Sequence, residues 1–182
     1  MSDSTPARIR RLSPADDADI LAAFTVDTEM ERQGDVTDLA SAAKYREFLT
    51  NGDEGNCGFA VEIDGRCAGI VGINGATQHR LGWFFYWMHP DFRGRGLTGR
   101  AAATVANWAL SEGSFDRLEL GHRVNNPASG AVATAAGFIH EGTERQKFLI
   151  DGQRIDVFTY GRLSTDPVPE TLPLPGLGSA VD

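Results

Sequence analysis

Cysteine is nearly absent: Cys57 and Cys67 are the only two in 182 residues, which excludes a disulfide framework as the basis of the fold. If Asp64-Gly65 is the two-residue turn of a hairpin, Ile63 faces Arg66, Cys67 faces Glu62 and Cys57 faces Gly72. In that register the thiols are not partners, and both read as reduced structural groups of a reducing compartment. His79, His89, His122 and His140 show no ligand-like spacing with the cysteines, so no metal site is expected. No apolar run approaches the ~20 residues of a membrane span. The opening MSDSTPARIR also lacks the apolar centre of a signal peptide. The expectation is a cytoplasmic protein with no membrane partner. Basic charge is short as well: 17 Lys and Arg stand against 25 Asp and Glu, a net charge of −8. A polyanion needs a basic face, so nucleic acid is not expected as a partner.

What is present suffices for one α/β domain, with 41% hydrophobic residues, no internal repeat and no second core. Residues 8–12 predict a strand. Ser13 is the N-cap of a helix with Pro14 at its first position; Ile20, Leu21 and Phe24 share a face that fades near Asp27. A second helix starts at Thr37 or Asp38 and ends near Asn51-Gly52, partly burying Leu39, Ala43, Phe48 and Leu49. Residues 27–54 hold eight acids against three bases. They read either as a solvated helical surface or as an acidic wall over a site for a protonated amine. A hairpin follows, then an aromatic strand from Trp83, a helix, and a strand within Phe115–Val124 carrying Leu118 and Leu120 on one face. Asn126 caps a further helix with Pro127 at its first position and Gly137 ending it. Two antiparallel strands close the domain at residue 163. Residues 164–182 hold half of the eight prolines and no period. They predict a mobile or extended tail in which Leu172, Leu174 and Leu177 leave room for docking.

The loop Arg93-Gly94-Arg95-Gly96-Leu97-Thr98-Gly99 lies between the aromatic strand and the central helix. Glycines let backbone approach a ligand, and the first N–H groups of the helix suit an anion. With Arg93, Arg95 and Arg100 around it, a diphosphate is the ligand this stretch predicts. Gly94 to Gly99 also spells G-x-G-x-x-G, the dinucleotide fingerprint. That reading is set aside: the preceding strands run as hairpins, and His89-Pro90-Asp91-Phe92 is too long for the tight turn the fingerprint needs.

Taken together, the aromatic strand, His-Pro-Asp and Arg93-x-x-Gly96-x-Thr98 resemble the acetyl-CoA-binding motif of the GNAT superfamily of N-acetyltransferases, with Thr98 departing from the usual Gly or Ala. His122-Arg-Val-Asn125-Asn126-Pro-Ala-Ser129, Gly137-Phe138, Glu141-Gly142, Asp156 and Tyr160 resemble the branch holding the bacterial ribosomal-protein serine and alanine N-acetyltransferases. The resemblance implies a mixed, mostly antiparallel sheet splayed between its fourth and fifth strands, with helices on both faces. It also implies acetyl-CoA as cosubstrate and a homodimer.

In such a site the phosphates rest on the amides of Arg95 to Arg100, and amides near Met88 and His89 meet the acetyl oxygen. By the resemblance, Asn126 contacts the pantetheine arm and Ser129 stands near the thioester sulfur as general acid. The glutamate that serves as base in the serine-acetylating members falls here on Lys147. His122 is the candidate base, although its parity with Leu118 and Leu120 equally suits a packed core histidine. Glu119, His89 and Tyr86 are further candidates. The acceptor is read as a protein N-terminus, from the resemblance, or a small cationic amine, from the acidic segment. The alternative is a CoA-binding regulatory module without transfer.

Overall fold

The computed structural model describes residues 6–177. The first five residues of the N-terminal stretch and the last five of the tail lie outside the described residues. Strand β1 (Arg8–Arg11) leads through a 3-10 turn into α1 (Asp17–Val26), and α2 (Leu39–Leu49) follows. Strands β2 (Cys57–Ile63), β3 (Arg66–Ala76) and β4 (Leu81–Met88) form a meander. Then come α3 (Leu97–Ser111), β5 (Arg117–Arg123), α4 (Pro127–Ala135), β6 (Ile139–Ile150) and β7 (Gln153–Leu163). They form one seven-stranded sheet in the order β1-β2-β3-β4-β5-β7-β6. Every neighbouring pair is antiparallel except β4 with β5.

Period-two alternation sorts side chains onto the two faces. Phe59, Val61, Phe84 and Met88 meet α3 and α4 in one core; Ala60, Ile70 and Trp87 meet α1 and α2 in the other. Helix α3 lies close against the sheet because its buried face is nearly all Ala. A Cβ on Gly99 would come within 3.1 Å of Ala135 Cβ, so this glycine serves the packing of α3 on α4.

Asp64-Gly65 turns the first hairpin with both φ angles positive, 50° and 78°. Ile63↔Arg66 and Glu62↔Cys67 pair as expected, but a bulge at Val61/Glu62 shifts the rest by one, so Cys57 faces Ile73 rather than Gly72. Both thiols are free. Helix α2 is capped by Asp38, whose carboxylate accepts from Ser41 N–H. That cap turns Leu39 outward: Leu39 and Phe48 are 57% and 49% exposed, and Ala42 and Leu49 are the residues this helix buries. Val124 likewise lies beyond β5 and is exposed.

The described part of the tail, 164–177, forms no helix or strand and lies along α3. Leu174 is buried, its N–H donates to Thr104 Oγ1 at 2.8 Å, and Ile9 N–H donates to the Pro175 carbonyl at 2.8 Å.

At the β1 edge of the sheet, Arg10 bridges the buried Asp16 and Glu62, and Arg8 adds a second cation at Glu62. Burial alone would push the Asp16 carboxyl up, but hydrogen bonds from Arg10 and Ser13 outweigh it and hold the group below its ordinary 3.8. Hydrogen bonds from Arg8 and Arg10 hold Glu62 below its ordinary 4.5. Groups so depressed contribute stability that is complete above their unfolded values and is lost as pH falls through their folded ones. The urea midpoint is therefore expected to stay flat from about pH 7 to 5 and to fall progressively below about 4.5. A midpoint that stayed flat to pH 3 would remove these carboxylates from the stability of the fold.

Candidate active site

Strands β4 and β5 pair over only Leu81↔Arg117, Gly82↔Leu118 and Trp83↔Glu119, then diverge. The splay expected between the fourth and fifth strands is therefore present. His89 N–H donates to the Ala68 carbonyl of β3 at 2.8 Å. Because main-chain groups alternate along a strand, Tyr86 and Met88 then direct theirs into the gap. The Met88 carbonyl is covered by Arg93 Nε at 2.8 Å, which leaves the Met88 N–H as the donor facing the opening. His89 itself caps a turn: its Nδ1 accepts from Asp91 N–H at 3.2 Å.

The glycine loop sits at the mouth of this gap. Gly94 and Gly96 have φ of 76° and 70°, and a Cβ on either would meet nothing within 4 Å. Gly96 is the N-cap of α3, and the first helical hydrogen bond runs from Arg100 N–H to the Gly96 carbonyl at 3.3 Å. The amides of Leu97, Thr98 and Gly99 thus point out of the helix end, as an anion site requires. The loop is open and amide-lined, and Arg95 stands beside it, its guanidinium 5.5 Å from the Phe92 ring and donating to the Asp91 carbonyl at 3.1 Å.

All three arginines expected around the phosphates have protein partners, and two of them reach distant segments. Arg93 reaches across to Asp27 at the end of α1, and Arg100 donates to the Leu172 and Pro173 carbonyls of the tail at 2.9 and 3.0 Å. The Arg100 amide is used within α3, so its place in the cradle is structural. The reason is composition: carboxylates and free carbonyls on neighbouring segments compete for guanidinium groups, and sequence spacing does not reveal them.

Helix α4 brings its N-terminus over the same gap. Asn126 Oδ1 accepts from Ser129 N–H at 3.2 Å, as a cap does. Tyr86 of β4 donates its hydroxyl to the Ser129 carbonyl at 2.7 Å and lies 3.0 Å from Ser129 Oγ. Burial pushes the Tyr86 phenol up to about 12, partly offset by the bond to Ser129, so it stays protonated. Ser129 and Tyr86 form a hydroxyl pair that the helix spacing alone could not reveal. The available signal was parity, which places Tyr86 on the face of Phe84 and Met88.

His122 lies among the packed side chains of β5 and β7. Its Nδ1 lies 2.8 Å from the Arg123 carbonyl, which can only accept, so that nitrogen carries the proton. Its Nε2 then accepts from Tyr160 Oη at 3.2 Å. The ring stacks on Tyr160 at 5.2 Å and is buried.

On the opposite face Trp83 and Phe85 of β4 look toward α2. Lys147 lies 5.9 Å from the Trp83 ring with Glu144 paired to it. Across the mouth, Asp27 pairs with Arg93 at the end of β4, and Glu29 pairs with Arg123 at the end of β5. Of the eight acids in 27–54, Asp27, Glu29 and Glu47 sit in ion pairs and Asp38 caps α2. Three of the eight carboxylates are thereby paired. No cluster of three metal-ligating side chains occurs among the described residues. Among those residues no helix is long and apolar enough to cross a membrane.

Residues 7–139 match the family described as Acetyltransferase (GNAT) domain. The ribosomal-protein-serine acetyltransferase of Escherichia coli is 31% identical over 78 residues, covering 43% of this chain and 44% of that protein. The spermidine N(1)-acetyltransferase of the same species is 28% identical over 123 residues, covering 64% and 66%. The chain thus spans less than two thirds of these relatives' lengths. Among solved structures, RimL, a ribosomal L7/L12 alpha-N-protein acetyltransferase in complex with coenzyme A, superposes with a TM-score of 0.77 at 20% identity, over 87% of this chain and 94% of RimL. The microcin C7 self-immunity acetyltransferase MccE, in complex with acetyl-CoA and AMP, gives 0.74 at 18% identity, over 86% and 92%. At these identities the likeness is one of fold.

Proposed function

This chain belongs to the GNAT acetyltransferase family, and we propose that it transfers the acetyl group of acetyl-CoA to a primary amine by direct attack within a ternary complex. The observation that carries this reading is the convergence of three elements on one gap. The amides of the α3 N-terminus, the inward N–H of Met88 and the Ser129–Tyr86 pair all lie at the opening between β4 and β5.

When bound, acetyl-CoA supplies an acetyl thioester; the remaining chemistry belongs to the chain. The loop from Gly94 to Gly99 holds the diphosphate, and Asn126 lies beside the path of the pantetheine arm. The Met88 N–H donates to the carbonyl oxygen as negative charge develops on it. The neutral acceptor nitrogen forms the new C–N bond as the C–S bond breaks. Ser129, held in place by Tyr86, then gives a proton to the departing sulfur and takes one back from solvent. With Lys147 in the place of the expected acid, and Glu119 and Glu144 paired with Arg117 and Lys147, the acceptor amine loses its proton to solvent. Much of the rate enhancement comes from positioning two bound substrates, which demands no strong base. The free thiols suit a cytoplasmic protein. The edge strand β6, with Ile139 and Leu149 exposed, suits a homodimer.

A thermal melt with CoA, acetyl-CoA, NAD and NADP tests the cradle. Ligand at a hundred times its dissociation constant adds about 2.7 kcal/mol to the native state. A rise with the CoA species alone, followed by amine-dependent release of thiol from acetyl-CoA, is expected. A rise without thiol release from any amine would instead make the chain a CoA-binding regulatory module.

A further inference from the structure

Helices α3 and α4 carry different halves of the site, and they cross beside the glycine loop. A Cβ on Gly99 would lie 3.1 Å from Ala135 Cβ, so the last of the three outward amides of α3 sits against the last residue of α4. Ser129 stands near the other end of α4, about 9 Å along the helix axis from Ala135. A tilt of about 6° at the crossing therefore moves Ser129 by about 1 Å relative to anything held on the α3 amides. A displacement of that size can cost about a hundredfold in rate.

The segment after β7 clasps this crossing from outside. Thr171 Oγ1 donates to the Ala135 carbonyl at 2.6 Å, one of the carbonyls that the end of α4 leaves without a helical partner. The next two residues give their carbonyls to Arg100 of α3: Nε donates to Leu172 at 2.9 Å and Nη2 to Pro173 at 3.0 Å. Leu174 follows, buried, with its N–H on Thr104 Oγ1, which itself donates to the Arg100 carbonyl at 2.8 Å. Alternating prolines suit this stretch. Pro173 and Pro175 have no N–H to place and bias the residues before them to extended backbone, so the carbonyls stay available to α3 and β1. From the sheet side the buried Arg162 of β7 ties the same two helices, donating to the Ala136 carbonyl at 2.7 Å and to Asn107 Oδ1 at 2.6 Å.

We propose that Thr171 and Arg100 are positioning residues for acetyl transfer, the two ends of a clasp by which the tail fixes the α3 amides against Ser129 of α4. This rests on the transfer reading above. Arg100 acts on catalysis through the Leu172 and Pro173 carbonyls and not through a phosphate. The stretch from Thr171 to Leu174 is then part of the frame of the site, although no residue in it touches the reacting groups.

Arg100→Met and Thr171→Val, made singly and together in the full chain, test the clasp. Thiol release from acetyl-CoA gives kcat and KM, calorimetry gives the affinity for CoA, and hydrogen exchange follows the amides of residues 133–138. Each single variant is expected to lower kcat about tenfold, with the dissociation constant for CoA within about twofold of the parent. Because both cut one clasp, the double variant should be no more than about threefold slower than either single. Thr171→Ser keeps the hydroxyl and should return kcat to within about twofold of the parent. Exchange at 133–138 should quicken in Arg100→Met, although the bonds lost there run to the tail. Should Arg100→Met fold poorly, the nearly isosteric Thr171→Val carries the kcat test and is read for exchange at Leu174. Weaker CoA binding with kcat intact at saturation makes Arg100 a phosphate ligand and overturns the clasp. Losses that multiply, or a lower Tm with kcat intact in both single variants, overturn it as well. If the parent releases no thiol with any amine, exchange decides alone: quickened exchange leaves the clasp standing while the transfer reading falls, and unchanged exchange overturns both.

Discussion

Replacing Ser129 with alanine is expected to lower kcat by about a hundredfold or more, the range that a positioned proton donor contributes. The dissociation constant for CoA should stay within about twofold, because the missing hydroxyl belongs to no part of the phosphate cradle. Its loss falls on the step in which sulfur departs. The Ser129 N–H still donates to Asn126 Oδ1 in this variant, so the start of α4 is preserved. Tyr86→Phe removes the hydroxyl that lies 3.0 Å from Ser129 Oγ. A smaller loss, about tenfold, is expected because Ser129 retains its own proton. The informative experiment is the double variant. Two groups acting as one proton-delivering unit are not additive, so S129A/Y86F should be little slower than S129A alone. Losses that multiply would show Tyr86 acting separately, and an S129A protein with undiminished kcat would remove Ser129 from the chemistry.

The second large effect is on stability. Asp16 is 2% exposed and accepts from both terminal nitrogens of Arg10, at 2.8 and 2.7 Å, and from Ser13 N–H at 2.8 Å. Asp16→Ala leaves that guanidinium facing a partly buried gap and removes the cap of the first helical turn. Breaking a buried pair from one side costs about 3–5 kcal/mol. Arg10 keeps Glu62 as partner and remains a quarter exposed, so the lower end applies. For a chain of this length a loss near 3 kcal/mol corresponds to a Tm lower by roughly 6–12 °C. Asp16→Asn should cost less, since the amide oxygen still accepts from Ser13. Because β1 is the edge strand opposite β6, CoA binding by the folded variant should be unchanged. A Tm within a degree of the parent would show that water, rather than protein, satisfies Arg10 once the carboxylate is gone.

Local chemistry decided a good deal before any tertiary contact. Asp64-Gly65 set the first hairpin because both residues tolerate positive φ. Asn126 with Pro127 opened α4 because a side-chain acceptor and a missing N–H both suit a helix start. Gly94 and Gly96 marked the ligand loop because both stand in the left-handed region with open space around them. The period-two pattern of β2 to β5 placed the two cores on opposite faces. For these features the determining interactions span only a few residues, so the sequence by itself determined the order of elements, the hairpin, the helix caps and the open glycine loop.

Tertiary structure decided what long-range competition decides. Arg93, read from the sequence as one of the cations around the phosphates, meets Asp27 across 66 residues of chain. Arg100 likewise met the tail 72 residues on. Parity placed His122 beside Leu118 and Leu120, but its contact with Tyr160 needed the pairing of β5 with β7. A single bulge moved Cys57 from Gly72 to Ile73, because register depends on how both strands pack and not on the turn alone. The pairing of Ser129 with Tyr86 arises the same way. Each needs two surfaces from distant stretches of chain to meet, and a hydrogen-bonding side chain takes whichever partner the packed fold presents.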